Sequence, residues 1–179
     1  MVTWILRIGI AVGWLWWGGP QAAEALNQQF EDLSASVEVA PVFSFSLDHP
    51  HLAFGVVGPK ATKIIGESGF YNQVTCRANS GRPWYLKAQL LSLKQVGGGA
   101  SLDPSSLKWK LADSTGSARP LHADFEPFTS DSVLIYSSEG DDNRGQEVIL
   151  RFQYSLTTPL DAQAGTYVGE VIFTMVETP

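Results

Sequence analysis

Cysteine is almost absent. Cys76 stands alone in 179 residues, so no intramolecular disulfide can staple the fold and stability has to come from an apolar core. Histidine is scarce as well, with only His49, His51 and His122. Positive charge is in deficit, 12 Lys and Arg against 18 Asp and Glu for a net charge of −6. An acidic chain without a basic cluster is a poor nucleic-acid binder, and that class of partner is excluded. Long apolar runs are missing too: Ile8 to Trp17 spans about ten residues where a membrane-crossing helix needs about 20. No internal repeat and no Pro/Ser-rich linker divides the chain, so one domain is expected.

The beginning of the chain reads as a leader. Arg7 is its only early charge, the apolar run follows, and Ala23-Glu24-Ala25 puts small residues at the two positions a signal peptidase reads. Residues 1–25 are therefore expected to be a signal peptide cleaved after Ala25. The mature protein would be exported to the periplasm, cell surface or exterior, with no transmembrane segment. Trp4, Trp14, Trp16 and Trp17 lie in this leader, which leaves Trp84 and Trp109 for the mature chain. Residues 26–40 are expected to be an N-terminal arm or first strand, and 41–179 the folded domain.

Period-2 alternation dominates the remainder. Val148, Leu150, Phe152, Tyr154 and Leu156 share one face of a strand, and Tyr167, Val171, Phe173 and Met175 share one face of the next, after the Ala164-Gly165-Thr166 turn. Together they predict a hairpin that needs more sheet to pack against. Upstream, strands are expected at Phe43 to Leu47, Leu52 to Val57, Tyr71 to Ala78, Trp84 to Leu90, Leu107 to Leu111 and Val133 to Tyr136. Ala61 to Ile65 is short and amphipathic, and Ala112 to Asp131 is a loop-like insertion pinned by Phe125 and Phe128. Short strands with one buried and one wet face, parted by Gly, Pro, Asn and Ser turns, imply an all-β, antiparallel two-sheet β-sandwich of immunoglobulin-like type. Cys76 alternates with Val74 and Ala78, as a small buried residue does. A reactive thiol or an intermolecular disulfide are the alternatives.

Candidate chemistry is sparse. Asp48, His49 and His51 have metal-ligand character, with His122 a distant fourth, but two His at this spacing are common by chance and a solvated Asp-His-Pro turn is the favoured reading. Asp141, Asn143 and Gly145 alternate as oxygen ligands do in calcium loops, yet Phe152 stands where the bidentate carboxylate belongs, which favours a plain turn. No Ser sits in a nucleophile elbow. No catalytic residue, metal or cofactor is expected. Trp84, Tyr85, Trp109 and Tyr136 would form a sugar-stacking platform if they faced outward, but Trp84 and Trp109 share parity with aliphatic neighbours, which points to core packing.

Leu52-Ala53-Phe54-Gly55, Val74-Thr75-Cys76, Gly81 with Trp84-Tyr85, Leu107 to Asp113, and Ala164 to Tyr167 follow one another along the chain. In that order they resemble the spore coat U family of secreted, pilin-like proteins that assemble by the chaperone-usher route. The resemblance implies an incomplete immunoglobulin-like fold completed by a strand from another subunit, and a periplasmic chaperone as partner. The family's early Cys has no counterpart between Phe43 and Leu47, which excludes its disulfide. Leu33, Ala35, Val37 and Val39 have the alternation that a donor strand needs, and equally that of a first strand in the chain's own sheet. The expected function is a non-catalytic structural or surface protein, a pilus or fibre subunit that associates with itself or with other surface subunits. A carbohydrate-binding or adhesive module is the alternative.

Overall fold

The computed structural model describes residues 36–118 and 124–177. The expected signal peptide, Leu33, Ala35 and His122 lie outside the described residues. The chain divides at residue 40. On the near side of that division, 36–40 carries no strand, and Val37 and Val39 are 89% and 75% exposed.

From Pro41 onward the chain builds two antiparallel sheets packed face to face, an all-β sandwich without an α-helix among the described residues. The strands are β1 (Phe43–Leu47), β2 (Thr62–Ile65), β3 (Asn72–Ala78), β4 (Tyr85–Gln95), β5 (Ser101–Leu102), β6 (Leu107–Ser114), β7 (Glu126–Pro127), β8 (Val133–Ser137), β9 (Glu147–Thr157) and β10 (Tyr167–Val176). The first sheet has six strands in the order β1-β3-β9-β6-β7, with β2 also on β9. The second has four, in the order β10-β4-β5, with β8 also on β4.

β9 sits at the centre of the larger sheet. β3 pairs with Glu147 to Phe152 and β2 with Tyr154 to Thr157, end to end along one edge, while β6 takes Leu150 to Leu156 on the other. Its inward residues Val148, Leu150, Phe152 and Tyr154 are all buried. They meet Leu86, Ala88 and Leu90 of β4 and Met175 of β10 in one core with Trp84, Trp109, Phe128 and Tyr136. Burying side chains of this size is worth about 1.5–3 kcal/mol each. The rings interlock at an angle, with Trp109 and Phe152 edge-on at 6.3 Å and Phe152 and Phe173 tilted at 5.6 Å.

The expected hairpin of β9 with β10 does not form. β10 pairs only with β4 in the other sheet, because both edges of β9 are already occupied. Alternation reports which way a side chain faces and is silent about which strand lies alongside. The expected strand from Leu52 to Val57 is likewise not a strand. Leu52 and Phe54 pack against the core, but Gly55 takes φ +64° and turns the backbone out of the extended conformation a ladder requires. Ala61 to Ile65 becomes β2, held to β9. The long insertion is shorter than expected, since β6 runs on to Ser114 and β7 pairs with Lys108 and Trp109. Phe128 is fully buried, and Phe125 lies under the Lys110 ammonium.

Cys76 has no exposed surface, and burial pushes its thiol up to about 12. Reactivity requires the thiolate, so native protein at pH 8 is expected to resist thiol reagents that modify the unfolded chain at once. Cys76→Ala is expected to cost about 1–2 kcal/mol of stability in a denaturant titration, through lost packing.

Candidate functional site

The aromatic candidates are committed to the interior. Trp84 and Tyr136 are fully buried and Trp109 nearly so. Only Tyr85 keeps partial exposure, so no stacking platform forms from the four. What holds Trp84 and Tyr136 is a polar clasp at one end of the sandwich. The turn before β9 is a short 3-10 helix, Gly140–Asn143, whose Asp142 is completely buried. Asp142 accepts hydrogen bonds from the Tyr136 hydroxyl (2.8 Å), the Ser117 amide (2.9 Å) and the Glu139 amide (3.2 Å). Its carbonyl accepts from Trp84 Nε1 (3.2 Å). Ser138 Oγ donates to Asn143 Oδ1 at 2.6 Å. Gly116 makes room for the clasp, since a Cβ there would stand 1.8 Å from the Tyr136 oxygen.

The acidic turn is thus a plug and not a calcium loop: Asp142 points inward, and Asn143 spends its oxygen on Ser138. The sequence favours a plain turn here and does not show that Asp142 is buried. The signal for the plug was Glu139 three positions before Asp142, a capping-box spacing in which the Asp142 side chain bonds back to the Glu139 amide. Burial, and then the adjacent Asp142 carboxylate, raises the Tyr136 phenol well above its usual range. Tyr136→Phe leaves the buried carboxylate one donor short and is expected to lower stability by about 1–3 kcal/mol in chemical denaturation.

The Asp48 and His49 pair closes the other end of β1. Asp48 Oδ1 accepts from the His49 amide (2.7 Å) and the Gln73 amide (2.8 Å), and His49 Nδ1 lies 3.0 Å from Oδ2. His51 contributes its backbone carbonyl, to the Tyr71 hydroxyl, at 2.7 Å. No group of three potential metal ligands exists among the described residues. Burial acts to raise the Asp48 carboxyl, but the bonds from Gln73 and His49 outweigh it and hold it below the usual carboxylate range. A depressed folded-state value means stability present above the unfolded value of about 3.9 and lost as pH falls through the folded one. The stability gap between wild type and Asp48→Asn is therefore expected to shrink as pH is lowered below about 4, followed by urea melts across pH.

A shallow open hollow is lined by Ser105, Ser106, Lys108, Pro127, Thr157 and Pro159. It brings hydroxyls beside one ammonium, with no imidazole or carboxylate in its wall. The sheet edges offer more. β7 holds Pro127 and is two residues long, β5 is two residues, and β2 is four. β1 and β8 have five each, and Pro41 lies two residues ahead of β1. β10 differs: it has ten residues, its one charge is Glu170, and it contains no proline or lysine. Among the described residues its outer edge pairs with no strand. Val168 on it is 57% exposed, while Val171 and Phe173 are half-buried and pack against the core. Gly169 lets this strand follow β4 closely through a register shift, since a Cβ there would lie 2.2 Å from the Ser92 carbonyl oxygen.

Of the four expected assembly residues, Val37 and Val39 are solvent-exposed and Leu33 and Ala35 lie outside the described residues. No family model and no curated protein matches this chain.

Proposed function

We propose that the chain is an exported, non-catalytic structural or surface subunit that associates by β-strand addition. In this reading the leader of residues 1–25 directs export. The fold is an incomplete immunoglobulin-like sandwich, β10 is the acceptor edge, and the arm bearing Leu33, Ala35, Val37 and Val39 is the donor from a second copy. A periplasmic chaperone would guard the same edge before assembly. The observation that carries the reading is the ten-residue β10 edge, which lacks the proline, lysine and brevity that protect exposed edges elsewhere in this sandwich. An extended segment laid along such an edge gains backbone hydrogen bonds, and its alternate side chains fill apolar positions beside the sheet. Burial of Trp84, Trp109 and Tyr136 removes the support for a sugar-binding alternative.

Protein beginning at Leu26 is expected to self-associate in sedimentation, and protein beginning at Ala40 to remain monomeric with unchanged melting. Val168→Lys, placed on the exposed part of β10, is expected to abolish association in the longer form without altering its melting. A monomer at all concentrations for the longer form overturns the reading. So does a large fall in melting on removing the arm, which would make it an ordinary strand of its own sheet.

A further inference from the structure

Between β1 and β2 the chain runs from Asp48 to Ala61 without a strand. It is tied at two ends. At the first, the Asp48 amide donates to the Gln73 carbonyl at 3.2 Å, the Asp48 carboxylate holds the Gln73 amide, Asn72 Nδ2 donates to the His49 carbonyl at 3.2 Å, and the Tyr71 hydroxyl donates to the His51 carbonyl. Behind these, Tyr154 donates to Asn72 Oδ1 at 3.0 Å, which keeps the Asn72 amide group aimed at the chain. At the second, Thr158 Oγ1 donates to the Gly58 carbonyl, and the Thr158 amide donates to the Ala61 carbonyl at 3.1 Å. Between the ties, Leu52 to Val57 joins no strand ladder among the described residues. Its attachment is the packing of two half-buried side chains, Leu52 and Phe54, while Val56 is 98% exposed.

Local opening is favoured where few apolar contacts and no ladder bonds have to break. Every strand around this segment is tied by paired backbone bonds, whereas beyond the bond of the Asp48 amide to the Gln73 carbonyl the stretch from His49 to Val57 has no backbone-to-backbone bond to a strand among the described residues. We propose that Asp48 to Val57 is a strap that opens as a unit while the sandwich stays folded, with Asp48 as its latch. Opening withdraws Leu52 and Phe54 from the core and gives the molecule an apolar flank that exists only in the open state. Gly55, at φ +64°, lies within the moving part, and the Gly58-Pro59 turn ends it. This strap is separate from the β10 edge and does not depend on the assembly reading.

The test uses two reporters on the full chain. The Gln73 amide, which donates to the latch, is followed by native-state hydrogen exchange against Thr75 of the same strand. A cysteine at Leu52, in a Cys76→Ala background, is followed by thiol labelling against Cys76 of the otherwise unmodified protein. Gln73 is expected to exchange at least about tenfold faster than Thr75, with weak denaturant dependence, as sub-global opening requires. Leu52→Cys is expected to label at least about tenfold faster than Cys76, and Asp48→Ala to raise that rate about tenfold further while Cys76 stays protected. Equal exchange of Gln73 and Thr75 with the full global denaturant dependence overturns the proposal. So does a Leu52→Cys labelling rate that Asp48→Ala leaves unchanged.

Discussion

Pairing of β9 along both of its edges is the constraint from which the rest of the sandwich follows. A strand flanked on both sides has no free backbone groups, so every later segment has to find a partner elsewhere. β10 follows β9 directly in the chain, yet only the second sheet is open to it, and there it takes the edge of β4. The same strand sets the core. Val148, Leu150, Phe152 and Tyr154 alternate inward, and the aromatic residues from β6 and from the loop before β8 close around them.

Facing was legible in the sequence along the central strands, though not in β1, where Phe43 and Phe45 alternate cleanly and stay exposed. Trp84, Leu86, Ala88 and Leu90 were expected on one side, and all are buried. Val74, Cys76 and Ala78 behave in the same way. Partnership was not legible, because a period of 2 is a local property of the backbone and pairing is a property of the whole sheet. That is why two well-read strands were joined in the wrong hairpin. The segment from Leu52 to Val57 shows a third level: its apolar residues predicted a strand, and one glycine at positive φ removes it.

The polar clusters were the hardest to read, for a reason of energy. Leaving a buried polar group unbonded costs about 1–3 kcal/mol, so oxygens near a chain reversal are recruited to tie the structure before they are free for a ligand. Asp142 ties Tyr136 and the Ser117 loop, and Asp48 ties β1 to β3. In the linear sequence both stretches offer ligand-type oxygens and both read as turns. The Glu139 to Asp142 spacing marks the first as a cap, and for the second the sequence gives the turn but not the Gln73 amide that Asp48 binds.

With those side chains engaged in the fold, the longest unpaired strand edge in the described sandwich is that of β10. Its energetics decide what an added strand must look like. Ordering a segment the length of Leu33 to Val39 costs about 1–2 kcal/mol per residue. A new ladder returns about 0.5–1.5 kcal/mol for each hydrogen bond, since water already satisfied those groups. With roughly one bond per residue, the ladder at best offsets the ordering. Net affinity must then come from apolar side chains, at about 1.5–3 kcal/mol for each that becomes well buried. A polar segment of equal length would gain the same backbone bonds and fail to hold. In the proposed assembly, the alternation of Leu33, Val37 and Val39 with Ser34, Ser36 and Glu38 is therefore the feature on which strand addition would depend, more than the length of the edge that receives it.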